Sequence, residues 1–174
     1  VGTVSPSAVI IGPPGSGKST VGPLLAERLG VEFVDADAEV EELAGKTISD
    51  IFAEDGEPRF RELEEQVIAD GLTKHTGVYS LGGGAVLSEA TRKRLTDHPV
   101  VFLNVGMAVG VQRVGLSSAR PLLVGVNPRA TFKQLLDARL PLYQQVAKVQ
   151  VDTDRLTPDE VVDAVVTELE KVSH

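Results

Sequence analysis

Short runs of aliphatic, often β-branched residues alternate along the chain with longer segments whose apolar positions recur every three to four residues. That alternation predicts strands separated by helices. Residues 8–11, Ala-Val-Ile-Ile, are apolar at every position, as suits a strand covered on both faces. Beyond a glycine-rich turn, Val21, Leu24, Leu25 and Leu29 fall at helical spacing, and Gly30 stops the helix. Residues 31–35, 78–81, 99–103 and 149–152 read as four further strands. Between the second and third strands lies a short helical pattern around Val40 and Leu43, closed by Gly45. Another helix begins behind Thr47, with Asp50 three residues on, and a longer one runs from Arg61 to about Leu72. Residues 37 to about 64 exceed a plain crossover and read as a small helical insert beside the sheet.

Ser88 caps a predicted helix over 89–95, and 108 to about 114 reads as another. Residues 115–127 read as a mobile segment. A helix is predicted from Phe132 to about Val146, with Pro141 expected to kink or break it. The last helix has a Thr157 cap, Pro158 at its first position and Glu160 at its third. Val161, Val162, Val165, Val166 and Leu169 form its apolar face. Pro23, inside the first helix, breaks a local rule, because its ring opposes the carbonyl of Ser19 unless the helix bends. Five strands joined by helical crossovers predict an α/β fold: a five-stranded parallel sheet in a three-layer α/β/α arrangement. Ligands of such sheets bind outside the carboxyl ends of the strands.

The turn after the first strand is Gly12-Pro13-Pro14-Gly15-Ser16-Gly17-Lys18-Ser19-Thr20, a G-x-x-x-x-G-K-[ST] phosphate-binding loop between a strand and a helix. Its glycines let successive N–H groups face anionic oxygens, and the helix N-terminus adds partial positive charge. Lys18 is placed to reach the β- and γ-phosphates, and the Ser19 hydroxyl to ligate Mg²⁺. The fold is therefore of the P-loop NTPase type, in a single domain over residues 1–174.

Phosphoryl transfer also needs cations for the spreading charge and an oriented acceptor oxygen. Asp35 and Asp37 follow the second strand, and in an extended segment their side chains point the same way. One then faces Mg²⁺ while the other reaches the acceptor hydroxyl; the alternative is that both only open the next helix. Arg61, Arg120 and Arg139 are candidate anion binders, with Glu64 able to hold Arg61 from one turn on. Gly82-Gly83-Gly84 after the third strand permits close approach of backbone to a ligand.

Composition narrows the partners. The formal charge of −8 disfavours non-specific attraction to nucleic acid or anionic lipid. The chain holds no cysteine, so thiolate metal sites and thiol catalysis are excluded. Its three histidines, His75, His98 and His174, show no metal spacing, and the first two are expected in surface turns. No apolar run approaches a membrane span, and a soluble, cytoplasmic protein is expected.

In this order, GPPGSGKST at 12–20, DAD at 35–37, FRELE at 60–64, LGGGAV at 81–86, ARPLL at 119–123 and RLPLY at 139–143 resemble the shikimate kinases. These belong to the nucleoside-monophosphate-kinase-like P-loop enzymes, and the likeness spans nearly the whole chain. The resemblance implies transfer of the ATP γ-phosphoryl group to the 3-hydroxyl of shikimate, a step toward chorismate and the aromatic amino acids. It implies that Asp37 binds the shikimate hydroxyls and acts as base or orienting group, and that Asp35 helps Ser19 hold Mg²⁺. Arg61 and Arg139 then bind the shikimate carboxylate, with Gly82, Gly83 and Gly84 against substrate and Phe52 and Phe60 lining the pocket. Gly15, Ser16, Gly17, Lys18, Ser19 and Thr20 hold the ATP phosphates, and Arg120, in a lid over 115–127, faces them on closure. Arg113 and the loop from Asp152 to Arg155 flank the adenine, and the enzyme is expected to be a monomer. A kinase of gluconate or of a nucleoside monophosphate, and a nucleotide-dependent switch with no acceptor, are the competing readings.

Overall fold

The computed structural model describes residues 5–13, 15–105 and 128–172. Five strands, β1 (Ala8–Ile11), β2 (Phe33–Asp35), β3 (Val78–Ser80), β4 (Val100–Asn104) and β5 (Val149–Asp152), form one sheet in the order β2-β3-β1-β4-β5. Every neighbouring pair is parallel. The connections carry α1 (Lys18–Leu29), α2 (Ala36–Ala44), α3 (Ile48–Glu54), α4 (Glu57–Lys74), α5 (Glu89–Leu95), α6 (Pro128–Val146) and α7 (Pro158–Val172). A 3₁₀ turn, Ala85–Leu87, follows the glycine run.

Alternation along β1 divides the core in two. Val9 and Ile11 pack with Val40, Ile51, Phe60, Ile68, Leu95 and Tyr143, under α2 to α6. Ala8 and Ile10 face the other way, toward Val21 and Leu25 of α1 and Val161, Val162 and Val165 of α7. All four β1 residues are fully buried, which is why that strand is apolar throughout. The three predicted layers are thus present, and β1 at the centre, flanked by β3 and β4, makes its carboxyl end the point where strand order reverses. No helix among the described residues is long and apolar enough to cross a membrane.

Local capping follows the sequence. Thr47 accepts from the Asp50 amide, Ser88 from the Thr91 amide, and Thr157 and Glu160 bond reciprocally. Boundaries differ at α4, which begins at Glu57 rather than Arg61, and at α6, which begins at Pro128 rather than Phe132.

Both internal prolines lie inside continuous helices, so the break that Pro141 suggests is absent. Helix α1 runs unbroken through Pro23, and α6 through Pro141. Pro23 and Ser19 are both exposed, as are Pro141 and Asp137, so the carbonyl each proline deprives of a partner lies on the solvent side. Water can take the place of the missing N–H there. The predicted helix over 108–114 and the lid lie outside the described residues.

Candidate active site

The phosphate-binding loop leaves β1 at the reversal point. Gly15 (φ 83°) and Gly17 (φ 92°) adopt the left-handed conformations that let the chain curl before α1. No side chain caps the N-terminus of α1, and the Thr20 amide bonds the Gly17 carbonyl at 3.1 Å. Ser16 is fully buried in the loop, and its amide donates to the Pro13 carbonyl at 3.2 Å. The Lys18 ammonium lies within this curl, donating to the carbonyls of Gly12 (2.7 Å) and Pro13 (3.0 Å). Ser19 and Thr20 are exposed at the start of the helix.

The acids after β2 are arranged differently from the expectation. The strand stops at Asp35 and α2 starts at Ala36, so the two side chains are not successive positions on one strand face. Asp35 is the N-cap of α2 and accepts from the Asp37 amide at 2.9 Å. Asp37, one residue into the helix, is directed at the glycine run. A Cβ added to Gly82 would sit 2.7 Å from Asp37 Oδ1 and 2.9 Å from Glu64 Oε2. Only a residue without a side chain lets both carboxylates approach that backbone.

Arg61 reaches the same run from α4, where a side chain on Gly84 would collide with its guanidinium. It donates to Glu64 Oε1 at 2.8 Å, as the three-residue spacing predicts, and its Nε stands 3.7 Å from Glu57. Glu64 is buried, 3% exposed. Arg139 comes from α6 and is 6% exposed, not presented at a helix break. Burial lowers its pKa from the usual guanidinium value, and the charge of Arg61 acts in the same direction. Its Nη1 is buried with no hydrogen-bond partner among the described residues. One turn further, the Tyr143 hydroxyl donates to the Gly83 carbonyl and ties α6 to the run. Phe60, 2% exposed, stacks tilted on Phe52 with centroids 5.0 Å apart, and the Arg61 guanidinium lies 5.1 Å over the Phe60 ring.

Asp37, Arg61, Gly82, Gly83, Gly84, Arg139, Phe60 and, behind it, Phe52 are therefore brought together. Arg155 is exposed in the loop after β5, beside an Asn104–Asp152 side-chain bond of 3.0 Å at the carboxyl ends of β4 and β5. Arg113 and Arg120 lie outside the described residues. Among those described, no three His, Cys, Asp or Glu side chains group as a metal cage. Sequence reasoning missed Tyr143, although its spacing of four from Arg139 puts both on one helical face. It also placed His75 in a surface turn, whereas this residue closes α4 and bonds Glu39 at 2.8 Å. His98 is likewise half-buried, and desolvation holds its imidazole below the ordinary pKa.

Arg61 is paired with Glu64 and Glu57, whereas the buried Arg139 keeps one guanidinium nitrogen unpartnered among the described residues. A guanidinium does not shed its proton near neutral pH, so the cost of burying Arg139 has to be offset by an anion. The geometry suits a small ligand whose acid end meets Arg61 and Arg139 while its polar body meets Asp37.

A family model described as shikimate kinase matches residues 14–170. The chain is 62% identical over 163 residues to a shikimate kinase of Saccharopolyspora erythraea, covering 94% of this chain and 93% of that one. It is 56% identical to a shikimate kinase of Thermobifida fusca, covering 94% and 95%. Among solved structures, shikimate kinase from Acinetobacter baumannii in complex with shikimate superposes with a TM-score of 0.89 at 35% identity, covering 98% and 94%. A gluconokinase from Sinorhizobium meliloti superposes at 0.63 with 20% identity, covering 98% and 95%, which is a likeness of fold alone.

Proposed function

The chain belongs to the shikimate kinase family and transfers the γ-phosphoryl group of ATP to a hydroxyl of shikimate, and from that premise we propose how its own residues divide the work. The observation that carries the proposal is the convergence of Asp37 and Arg61 on the Gly82–Gly84 backbone, with buried Arg139 in electrostatic reach of Arg61 and Glu64. Shikimate has one carboxylate and several hydroxyls. Arg61 and Arg139 hold the carboxylate, for which a planar, forked donor is better suited than an ammonium. Glu64 fixes the Arg61 fork, and Asp37 accepts from the 3-hydroxyl that is phosphorylated. A buried carboxylate left without its hydroxyls is costly, so this arrangement discriminates against acceptors lacking them. Phe52 and Phe60 close the apolar side, and residues 37–64 act as the acceptor-binding insert.

On the donor side, Gly15, Ser16, Gly17, Lys18 and Thr20 receive the phosphates. Mg²⁺ is a hard cation that takes oxygen ligands and retains waters. The Ser19 hydroxyl and the Asp35 carboxylate are oxygen donors of that kind, and Asp35 uses one oxygen for its cap. Together they fit the ion, which when bound neutralises charge on the β- and γ-oxygens. Arg120, in the lid over 115–127, faces the transferring phosphates, and Arg113 and Arg155 flank the base. A monomer working in the cytoplasm belongs to the same reading.

Arg139→Ala tests the acceptor half directly. Removing one partner of a buried charge pairing leaves the ligand carboxylate under-compensated, and shikimate binding is expected to weaken by about 2–3 kcal/mol. ATP affinity stays near wild type. Calorimetric titration with shikimate reads this, and an unchanged Kd would contradict the assignment.

A further inference from the structure

We propose that Glu39, Tyr79 and His75 form a positioning network that sets the rotation of α2, and with it the reach of Asp37 to the acceptor. The proposal rests on the reading of Asp37 given above. Within an otherwise apolar layer, the Tyr79 hydroxyl, on a side chain with no exposed surface, donates to Glu39 Oε1 at 2.6 Å and lies 3.2 Å from the Val67 carbonyl. His75 Nε2 meets Glu39 Oε2 at 2.8 Å, so both carboxylate oxygens are engaged. The His75 and Tyr79 rings pack with centroids 4.9 Å apart. Helix α4 is shaped to receive the phenol, because a side chain at Gly71 would overlap the Tyr79 hydroxyl. Burial, then Glu39, then the more distant Asp35 and Asp70, hold the phenol above its ordinary pKa, so it remains a donor.

These bonds join three elements of the acceptor site: the first turn of α2, the end of α4, and β3 just before the glycine run. Helix α2 has nine residues and cannot hold its place by its own hydrogen bonds. Its buried apolar residues, Ala36 and Val40, supply attraction that is largely non-directional, whereas the Glu39 bonds fix an angle. Asp37 and Glu39 are separated by about 200° around the helix axis. A rotation that takes Glu39 off Tyr79 therefore swings Asp37 away from Gly82.

The test is steady-state kinetics on the full chain for Tyr79→Phe, Glu39→Ala and Glu39→Gln, with thermal unfolding alongside. Misplacing a reacting group by about 1 Å can cost up to about a hundredfold, and kcat/KM for shikimate is expected to fall about tenfold in Tyr79→Phe, with KM for ATP unchanged. Glu39→Gln keeps an acceptor oxygen and should recover part of what Glu39→Ala loses. In an Asp37→Asn background, Tyr79→Phe should cost nothing more. A lower unfolding midpoint with kcat and both KM values intact would overturn the proposal, as would the same tenfold loss in the Asp37→Asn background. Full turnover by Asp37→Asn would sink the reading of Asp37 and this proposal with it. Loss in Asp37→Asn but none in Tyr79→Phe would sink the proposal alone.

Discussion

Asp37→Asn is expected to lower kcat by about 10²- to 10⁴-fold, the range associated with a positioned acid–base group. The replacement keeps the shape of the side chain and leaves the backbone amide that Asp35 caps, so α2 should stay in place. What is lost is the negative charge that orients the hydroxyl and receives its proton as the O–P bond forms. ATP binding, which Asp37 does not touch in this account, should keep its KM. A coupled ADP-release assay at saturating shikimate measures the effect, and undiminished kcat would rule out the role.

Lys18→Ala is expected to reduce kcat/KM for ATP by about 10³-fold, since a fixed cation aimed at developing phosphate charge is worth at least as much as a lost oxyanion donor. Lys18 also donates to Gly12 and Pro13; the Pro13 carbonyl keeps its bond from the Ser16 amide, so the substitution takes the ammonium partner chiefly from the Gly12 carbonyl. Gly12 and Pro13 are buried, but Lys18 is half-buried and its neighbours Ser19 and Thr20 are exposed, so water can enter the space that the ammonium leaves. The unfolding midpoint should therefore move little, and comparing it with the kinetics separates a phosphate role from a folding role. Wild-type activity would contradict the assignment.

Much of this enzyme can be read from the chain because its donor site is local. The loop from Gly12 to Thr20 lies between a strand and a helix, and nine consecutive residues carry the whole phosphate cradle. Strand identities followed for a similar reason: β1 and the first four residues of β4 are covered on both faces and so are apolar. The acceptor site is less local. Arg61 and Arg139 are far apart in sequence, and only the packing of α6 against the glycine run brings their guanidinium groups near one another. The carboxylate pair misled for a physical reason, since a chain that turns helical at Ala36 no longer obeys strand alternation. Pro23 and Pro141 stand on the solvent side of their helices, which is why neither ends one. Ser19, Pro23 and Glu27 form the outer stripe of α1, where a missing N–H meets water. The Glu39–Tyr79–His75 bonds had no signal at all, because contacts between residues 36 and 40 positions apart leave no periodic trace.

The central claim is that a hydroxyl held by a carboxylate, on an acceptor whose acid end meets two guanidinium groups, receives the γ-phosphoryl group. ADP release by the purified chain, measured with ATP and Mg²⁺ alone and then with shikimate, gluconate or a nucleoside monophosphate, tests it most directly. The account predicts rapid ADP release with shikimate and only a basal rate in every other case. ATP consumption that is indifferent to shikimate, or equally fast with gluconate or a nucleotide, would contradict it.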